Sequence, residues 1–377
     1  MAHTDKRLKI AVLHRIFRSD AGGAEAYAVA VALELAKRHE VHVFAQEMDA
    51  SLRAVTYHPI ALYFKRPRWL NQLVYALASW WQTRKGFDIV HSHENTWHGD
   101  VQTVHVIPMR CKPKKSPFYW LKLLTSPRLC TYTALEFFRF KGPAHRLWVS
   151  VSHPLQQQLS LMRPALPLTR LCTISPGIYP WKAVREASSI ASNVKHQIQR
   201  TKVLLWVGND ALKKNLSTVL HAMTHLDNTF HLWVVGKAAP HQAWHTLAQS
   251  MGLSERVKIM GVISDMDVAY SAADILLHPT LEDTFGMVVL EAMSRGVPVV
   301  VSSEAYCGIS ADLTHGLNAY VVKDPMDAIQ LAEAVNEIMQ EGTYDRYQVQ
   351  ASAFAQQHLW TDVAKQYELL FQKIAAQ

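Results

Sequence analysis

Two carboxylates, Asp283 and Glu291, bracket the part of this chain best suited to chemistry: Leu276-Leu-His-Pro-Thr-Leu-Glu-Asp-Thr-Phe-Gly-Met-Val-Val-Leu-Glu-Ala-Met-Ser-Arg-Gly-Val-Pro-Val-Val300. The residue types predict strand, loop, helix, Gly-Val-Pro turn and strand, with the helix opening near Thr284–Gly286. Free backbone N–H groups and the positive end of the helix dipole suit a phosphate there. Glu291 falls about two turns inside, among Val288, Val289, Leu290, Ala292 and Met293. A carboxylate in so apolar a helix is costly without a partner, and ribose hydroxyls would serve as one. The competing reading is a solvated Glu on the single wet face.

A second candidate lies in Val203-Leu-Leu-Trp-Val-Gly-Asn-Asp-Ala-Leu-Lys-Lys-Asn-Leu216. A strand ending at Gly208 and a helix beginning near Asn215 put Lys213 and Lys214 in the turn, where a lysine can neutralise a leaving diphosphate as a point charge. Ser19-Asp-Ala-Gly-Gly-Ala-Glu25 joins the first strand to the first helix, and Gly22 and Gly23 let backbone approach a ligand closely. GxGxxG is absent, so this is no dinucleotide fingerprint. His105 sits at the end of an apolar strand, as a core histidine or a functional one. His91 and His93 alternate onto one strand face without an apparent third metal ligand, so local packing or a place in the cleft wall is expected. Asp265-Met-Asp267 has the look of a metal-binding DxD, but it precedes a helical run and reads better as a cap and first-turn acid.

The elements that must position these residues alternate strand-like and amphipathic runs, the pattern of parallel sheets covered by helices. The first series has strands at Lys9–His14, Val41–Ala45, Asp88–His93, Val101–Ile107, Leu147–Ser152 and Thr169–Ser175, with a helix over Ala24–Arg38. Pro176-Gly-Ile-Tyr-Pro180 is stiff enough for a linker. The second series runs Val203–Gly208, Phe230–Gly236, Val257–Gly261, Ala273–Pro279, Pro298–Ser303 and Asn318–Val322, and two helical stretches close the chain. The expected organisation is a Rossmann-like domain over 1–175, a linker over 176–182, a second such domain over 183–355 and a terminal helix over 356–377 that packs back on the first. Two doubly wound α/β domains facing across a cleft would bind ligands beyond the carboxyl ends of their strands.

Composition bounds the reading without choosing a ligand. The 377 residues, 49% hydrophobic and 19% charged, exclude disordered and collagen-like classes. No stretch approaches the ~18–20 apolar residues of a membrane span, and the first strand is too short for a signal peptide. Cys111, Cys130, Cys172 and Cys307 form no CxxC or zinc spacing and are expected as reduced thiols in a cytosolic protein. The net charge of +8 favours polyanionic partners. Nucleic acid is not expected among them, since no reading motif is present.

The carboxylate–seven residues–Glu spacing, with Phe285-Gly286 between and Gly-Val-Pro after, resembles the donor motif of retaining glycosyltransferase family 4, whose fold is GT-B. Ile174-Ser-Pro-Gly-Ile-Tyr-Pro180, Val207-Gly-Asn-Asp210, Trp233-Val-Val-Gly236, Ala273-Asp-Ile-Leu-Leu-His-Pro279 and Cys307-Gly308 are similar to the lipopolysaccharide core glucosyltransferase I group. The resemblance implies transfer, with retention, of a hexose (glucose from a UDP-linked donor) to a lipid-linked saccharide such as lipopolysaccharide core. It implies catalytic roles for His105, Lys214 and Asp283, and donor contacts from Gly22, Gly23, Gly208, Asn209, Gly261, Val262, Glu282, Phe285, Gly286, Met287 and Glu291. Neither a cofactor nor a metal is expected. The family has Glu where Asp283 stands, so either the loop shifts inward or Glu282 takes that role. Asn209 replaces a frequent Arg, and the glucosyltransferase group has Asp in place of His105.

Residues 110–146 interleave nine Lys or Arg side chains, among them Arg110, Lys112, Lys114, Lys115, Arg139 and Arg146, with aromatic residues and a single acid, Glu136. Such a segment suits an anionic membrane surface, and partly buried helices are the alternative. A cytoplasmic enzyme held at the inner face of the membrane is the expectation. The rivals are a sugar-nucleotide epimerase or phosphorylase of the same fold, and a non-catalytic two-domain sugar-binding protein.

Overall fold

The computed structural model describes residues 7–109, 125–162, 168–181, 201–237 and 241–376. They form two compact units, Met1–Gly177 with Trp360–Gln377, and Ile178–Leu359.

In the first unit the strands are β1 (Lys9–Leu13), β2 (Ile16–Phe17), β3 (Glu40–Ala45), β4 (Glu47–Met48), β5 (Thr56–Pro59), β6 (Ile89–Ser92), β7 (Val101–Val104), β8 (Leu147–Ser150) and β9 (Leu171–Thr173). Seven of them make one sheet in the order β5-β3-β1-β6-β7-β8-β9, and β2 pairs with β4. Every pairing in the large sheet is parallel. Ile10, Ala11, Val12 and Leu13 are all buried, as expected of a strand covered on both faces. The connecting helices are α1 (Gly23–Ala36), α2 (Arg68–Thr83), α3 (Pro127–Phe140) and α4 (His153–Met162). No element is predicted from the sequence between Ala45 and Asp88, where the structure has β4, β5 and α2.

The second unit carries β10 (Lys202–Val207), β11 (Phe230–Val235), β12 (Val257–Gly261), β13 (Ile275–His278), β14 (Val299–Ser302) and β15 (Tyr320–Val322). They form a parallel sheet in the order β12-β11-β10-β13-β14-β15. Its helices are α5 (Leu216–Met223), α6 (His241–Ser250), α7 (Met266–Ala272), α8 (Met287–Ser294), α9 (Ala328–Ile338) and α10 (Thr343–Gln356). Trp206, Met223, Leu232, Leu277, Val300 and Val335 share one buried core. The last helix, α11 (Trp360–Ala375), belongs to the first unit. There the Tyr367 hydroxyl lies 2.7 Å from Thr103 Oγ1 and 2.8 Å from the Tyr27 hydroxyl. Its neighbour Glu368 lies 3.0 Å from His39 Nε2.

Strand order reverses between β1 and β6 in one unit and between β10 and β13 in the other. In open parallel sheets these reversals leave crevices at the strand carboxyl ends. Several details differ from expectation. The strand expected over Val101–Ile107 stops at Val104, three helices rather than two follow β15, and α8 starts at Met287.

Candidate active site

At the reversal in the second unit, β10 ends at Val207 and its chain turns through Gly208, Asn209 and Asp210. Asp210 shapes the turn: its Oδ1 accepts from Lys213 N at 3.0 Å and its carbonyl from Lys214 N at 2.9 Å. The loop after β13 is tied to this turn, with Leu281 N donating to Lys213 O at 2.8 Å and Thr280 Oγ1 to the same carbonyl at 3.1 Å. Two loops from distant sequence are thereby fixed side by side, and Lys214 forms an ion pair with Asp283.

Asp283 has a second partner, the buried His278, whose Nε2 lies 3.2 Å from Asp283 Oδ2. Burial lowers the His278 pKa, so the neutral ring donates that hydrogen bond. Burial alone would raise the carboxyl pKa of Asp283, but His278 and Lys214 together hold it well below the ordinary carboxylate range. Glu282 points differently. It pairs with Lys213 at 3.0 Å on the outer side, where the two side chains are 40% and 50% exposed, against 20% for Asp283 and 19% for Lys214. The shorter Asp is drawn inward because its backbone continues a strand-like bridge: Asp283 N donates to Tyr306 O at 2.8 Å, and Gly308 N to Asp283 O at 3.0 Å.

That bridge holds the chain out of the helix as far as Gly286. Gly286 takes φ +103, and a Cβ there would stand 2.8 Å from Cys307 Sγ, so glycine is required. With α8 starting at Met287, Glu291 lies about one turn inside rather than two. Glu291 is half-buried and has a protein partner. The hydroxyl of buried Tyr270 donates to Glu291 Oε2 at 2.7 Å, while Arg295 packs 4.9 Å over the Tyr270 ring. Arg295 Nε also donates to Asp267 Oδ1 at 2.8 Å. Asp265 caps α7 through Asp267 N at 2.9 Å, so the DxD serves as cap and first-turn acid.

Gly208, Gly236 and Gly261 close the adjoining strands β10, β11 and β12. Gly208 N donates to Val235 O at 3.0 Å and Gly236 N to Gly261 O at 2.7 Å. A Cβ on Gly236, at φ +116, would meet Gly208 O at 2.3 Å. This backbone packing brings Gly208, Asn209 and Gly261 onto one edge, and Asn209 Oδ1 accepts from Lys237 N at 3.1 Å. Val262 is exposed beyond it, while Phe285 is buried and Met287 half-buried.

The reversal in the first unit holds a cavity of about 320 Å³. Its walls come from His14 and Arg15 after β1, His93–Asn95 after β6, His105–Met109 after β7, Gln72 of α2, and Tyr132, Glu136 and Arg139 of α3. Glu94 is buried and held ionised by Arg15, whose backbone N and Nε both donate to it at 3.1 Å. His93 Nδ1 and His105 Nε2 share a hydrogen bond at 2.9 Å, with their rings stacked 5.2 Å apart. Burial drives both pKa values well below 6.5, so the pair is neutral. His91 packs against Tyr367 and Phe371 of α11 and contacts Thr103 Oγ1 at 2.8 Å; it does not line the cavity. From the glycine turn, Ala24 and Glu25 line the cavity, whereas Gly22 and Gly23 do not. The sequence does not mark Glu94, Arg15 and Arg139 as members of this site, nor Tyr270, His278 and Gly236 as members of the other.

The basic segment needs correction. Arg139 and Arg146 are buried, and so is Glu136. Arg139 Nε donates to Gln102 Oε1 at 3.0 Å, and Arg146 donates to the carbonyls of Gly99 and Trp97, each at 2.8 Å. These guanidinium groups satisfy interior acceptors and cannot face headgroups. Residues 110–124, including Arg110, Lys112, Lys114 and Lys115, lie outside the described residues. Among the described residues no helix is long and apolar enough to cross a membrane.

Known proteins resemble this chain in sequence and in fold. Residues 21–180 match the family described as Glycosyltransferase Family 4, and residues 190–355 the family described as Glycosyl transferases group 1. Lipopolysaccharide glucosyltransferase WaaG of Escherichia coli K12 is 28% identical over 178 residues, 45% of this chain and 47% of that protein. A glycosyltransferase of Methanocaldococcus jannaschii, MJ1607, is 24% identical over 229 residues, 58% and 57% of the two chains. The chain therefore spans about half the length of the curated relatives it matches. The crystal structure of WaaG superposes with a TM-score of 0.80 at 21% identity, covering 95% of this chain and 98% of that one. HepE of Anabaena, solved in complex with UDP and glucose, gives 0.76 at 17%, covering 96% and 99%. Family matches in both halves of the chain, joined to a fold shared over nearly its whole length, make this protein a member of the GT-B glycosyltransferases.

Proposed function

We propose that the protein transfers a hexose, glucose in the first instance, from a UDP-linked donor to a lipid-linked saccharide with retention of anomeric configuration. The observation that carries this reading is the Lys214–Asp283–His278 cluster at the strand reversal, one helical turn from a Glu291 anchored by Tyr270. On this reading Lys214 leaves its ion pair to meet the diphosphate. The bond from the sugar C1 to the diphosphate oxygen breaks, and Lys214 stabilises the charge that the departing UDP gains. Asp283, kept ionised and steered by His278, accepts hydrogen bonds from sugar hydroxyls, and Glu291 accepts them from the ribose. An acceptor hydroxyl forms the new bond to C1 on the face that the diphosphate leaves, and its proton passes to the departing diphosphate oxygen; the cavity walled by His93 and His105 suits the hydroxyls of a saccharide. The lysine supplies the cationic contact, so no metal is required. HepE, a protein of the same fold solved with UDP and glucose, supports a UDP-sugar as the first donor to test. The WaaG relative, by its name a lipopolysaccharide glucosyltransferase, supports a lipopolysaccharide-type acceptor.

The test is a panel of nucleotide sugars incubated with the purified chain, with and without lipid-linked saccharide and with and without chelator. Release of UDP that depends on the saccharide, survives chelator and yields a product of unchanged anomeric configuration by NMR is expected. Interconversion of the nucleotide sugars without transfer would make the protein an epimerase. Binding of saccharide without any nucleotide release would make it a sugar-binding module.

A further inference from the structure

Helix α2 is inside out. Its buried positions are polar or small: Asn71, Gln72, Tyr75, Ala76, Ser79 and Thr83. Each polar group among them has found a partner. Asn71 and Gln46 exchange amide hydrogen bonds of 2.7 and 2.9 Å, Gln72 Nε2 donates to Asn95 O at 3.2 Å, and the Tyr75 hydroxyl donates to Phe44 O at 2.8 Å. Thr83 Oγ1 donates to Ser79 O at 2.7 Å, and Ser79 Oγ lies 3.3 Å from His98 Nε2. These bonds lock the rotation of the helix about its axis. The residues left outward are apolar: Leu77, Trp80 and Trp81 are 49%, 39% and 61% exposed, and the half-buried Leu70, Leu73 and Val74 continue the stripe at helical spacing. Tyr63 and Phe64 are exposed in the loop that leads into the helix.

The segment that carries this face has charge of one sign. From Ala50 to Phe87 the chain has no Asp or Glu, but it has Arg53, Lys65, Arg66, Arg68, Arg84 and Lys85. The Arg84 guanidinium lies 3.5 Å over the Trp81 ring. A second copy seated on the face by two-fold symmetry would bring these like charges together. Outward Trp and Tyr among Lys and Arg, on a helix lying flat, instead match the water–lipid boundary of an anionic bilayer. We propose that the outer face of α2 docks on anionic lipid headgroups, with Leu77, Trp80 and Trp81 entering the interface. On the opposite side of the same helix, Gln72 lines the histidine cavity. A helix with its side chains is ~10–12 Å across, so docking brings the cavity wall to within that distance of the surface bearing the saccharide. The inference deepens the lipid-linked-acceptor reading and rests on it for the purpose of docking alone.

The experiment uses the full chain with phosphatidylcholine vesicles and with mixed phosphatidylcholine–phosphatidylglycerol vesicles, all free of acceptor. Co-sedimentation with the anionic vesicles at low salt and release at high salt are expected, because screening shortens the reach of surface charge. Replacing Trp80 and Trp81 by Ala together should cut vesicle partitioning about tenfold or more, and brominated lipids should quench the wild type more than that variant. Trp81→Gln alone serves as the second variant should the pair disturb the fold. Partitioning unchanged by either variant overturns the proposal. So does a loss seen only when Lys112, Lys114 and Lys115 are changed to Gln, or a wild-type dimer in solution that these tryptophan variants dissociate. Transfer to the same saccharide in detergent micelles, measured in parallel, tests the acceptor reading independently. It should persist in the tryptophan variants, and its absence in the wild type bears on the acceptor and not on this face.

Discussion

The two strand reversals hold sites of opposite electrostatic design. In the second unit the site is charged, and every charge is answered: Lys214 by Asp283, Asp283 also by His278, Glu291 by the Tyr270 hydroxyl. In the first unit the cavity keeps one fixed ion pair, Arg15 with Glu94, and sets beside it a neutral histidine pair. A charged, pre-paired site can exchange an internal partner for a phosphate at little desolvation cost. The neutral imidazoles offer a phosphate no charge but suit hydroxyl groups, as donor and acceptor at once. On the proposed function the contrast is a division of labour, the charged site suited to the diphosphate and the neutral one to hydroxyl groups.

Lys214→Ala puts the largest strain on that division. Loss of a preorganised group facing developing charge costs about 10²–10³ in kcat, with little change in choice among nucleotide sugars. Steady-state rates at saturating donor measure this, and activity within about twofold of wild type would make Lys214 a structural partner of Asp283 only. Glu291→Gln comes next. Removing a charged acceptor of ribose hydroxyls costs ~1.5–3 kcal/mol of UDP affinity, read by calorimetry. Unchanged affinity would take Glu291 out of the donor site.

The histidines sharpen the comparison through pH. Burial lowers the pKa values of His91, His93, His98 and His105 in the first unit, to about 3 for His91 and His98. Above pH 6.5 folded and unfolded chains both carry them neutral. Below it the unfolded chain binds protons that the folded chain refuses, so stability falls from pH 6.5 down toward 3, by about 2 kcal/mol for each of His91 and His98 at pH 5. In the second unit His278 acts in the same direction, while Asp283 begins to count only below about pH 4, where the unfolded carboxyl takes up protons that the folded one refuses. Hydrogen-exchange protection factors, corrected for the intrinsic pH dependence of amide exchange, should therefore fall more from pH 7.5 to pH 5 in β6 and β7 than in β10 and β13. An equal fall would contradict the assignment of neutral histidines. The smallest effect belongs to Tyr270→Phe, which leaves Glu291 charged but unsteered. About 1 kcal/mol of UDP affinity, roughly fivefold, should go, and Glu291→Gln combined with it should cost less than the sum of the two.

The two sites also differ in how far they can be read from sequence. Asp283, Glu291 and Lys214 are local: a loop running into a helix and a turn leaving a strand bring out their spacing without knowledge of any distant contact. Tyr270 and His278 escape because each looks like an ordinary core residue until α7 is packed beside α8 and the β13 loop is folded over Asp283. The helix start differs by a few residues because the bridge from Asp283 to Cys307 holds the chain out of the helix up to Gly286, and that bridge is tertiary. The cavity of the first unit draws on residues from His14 to Phe140, so its ion pair has no signature in any one window. Arg139 and Arg146 mislead for a related reason: composition cannot distinguish a guanidinium in water from one satisfying buried carbonyls.

The place of α11 has a consequence for biosynthesis. The second unit is one continuous stretch, Ile178–Leu359, whereas the first closes only with Trp360–Gln377. On the ribosome the domain begun first therefore finishes last, since Tyr27 and Thr103 wait for Tyr367, and His39 waits for Glu368, until nearly all of the chain has emerged. The usual order of co-translational folding, amino-terminal domain first, is reversed here. Until α11 arrives, the faces of Tyr27 and His91 that it covers are exposed, a nascent surface on which a chaperone would find its footing.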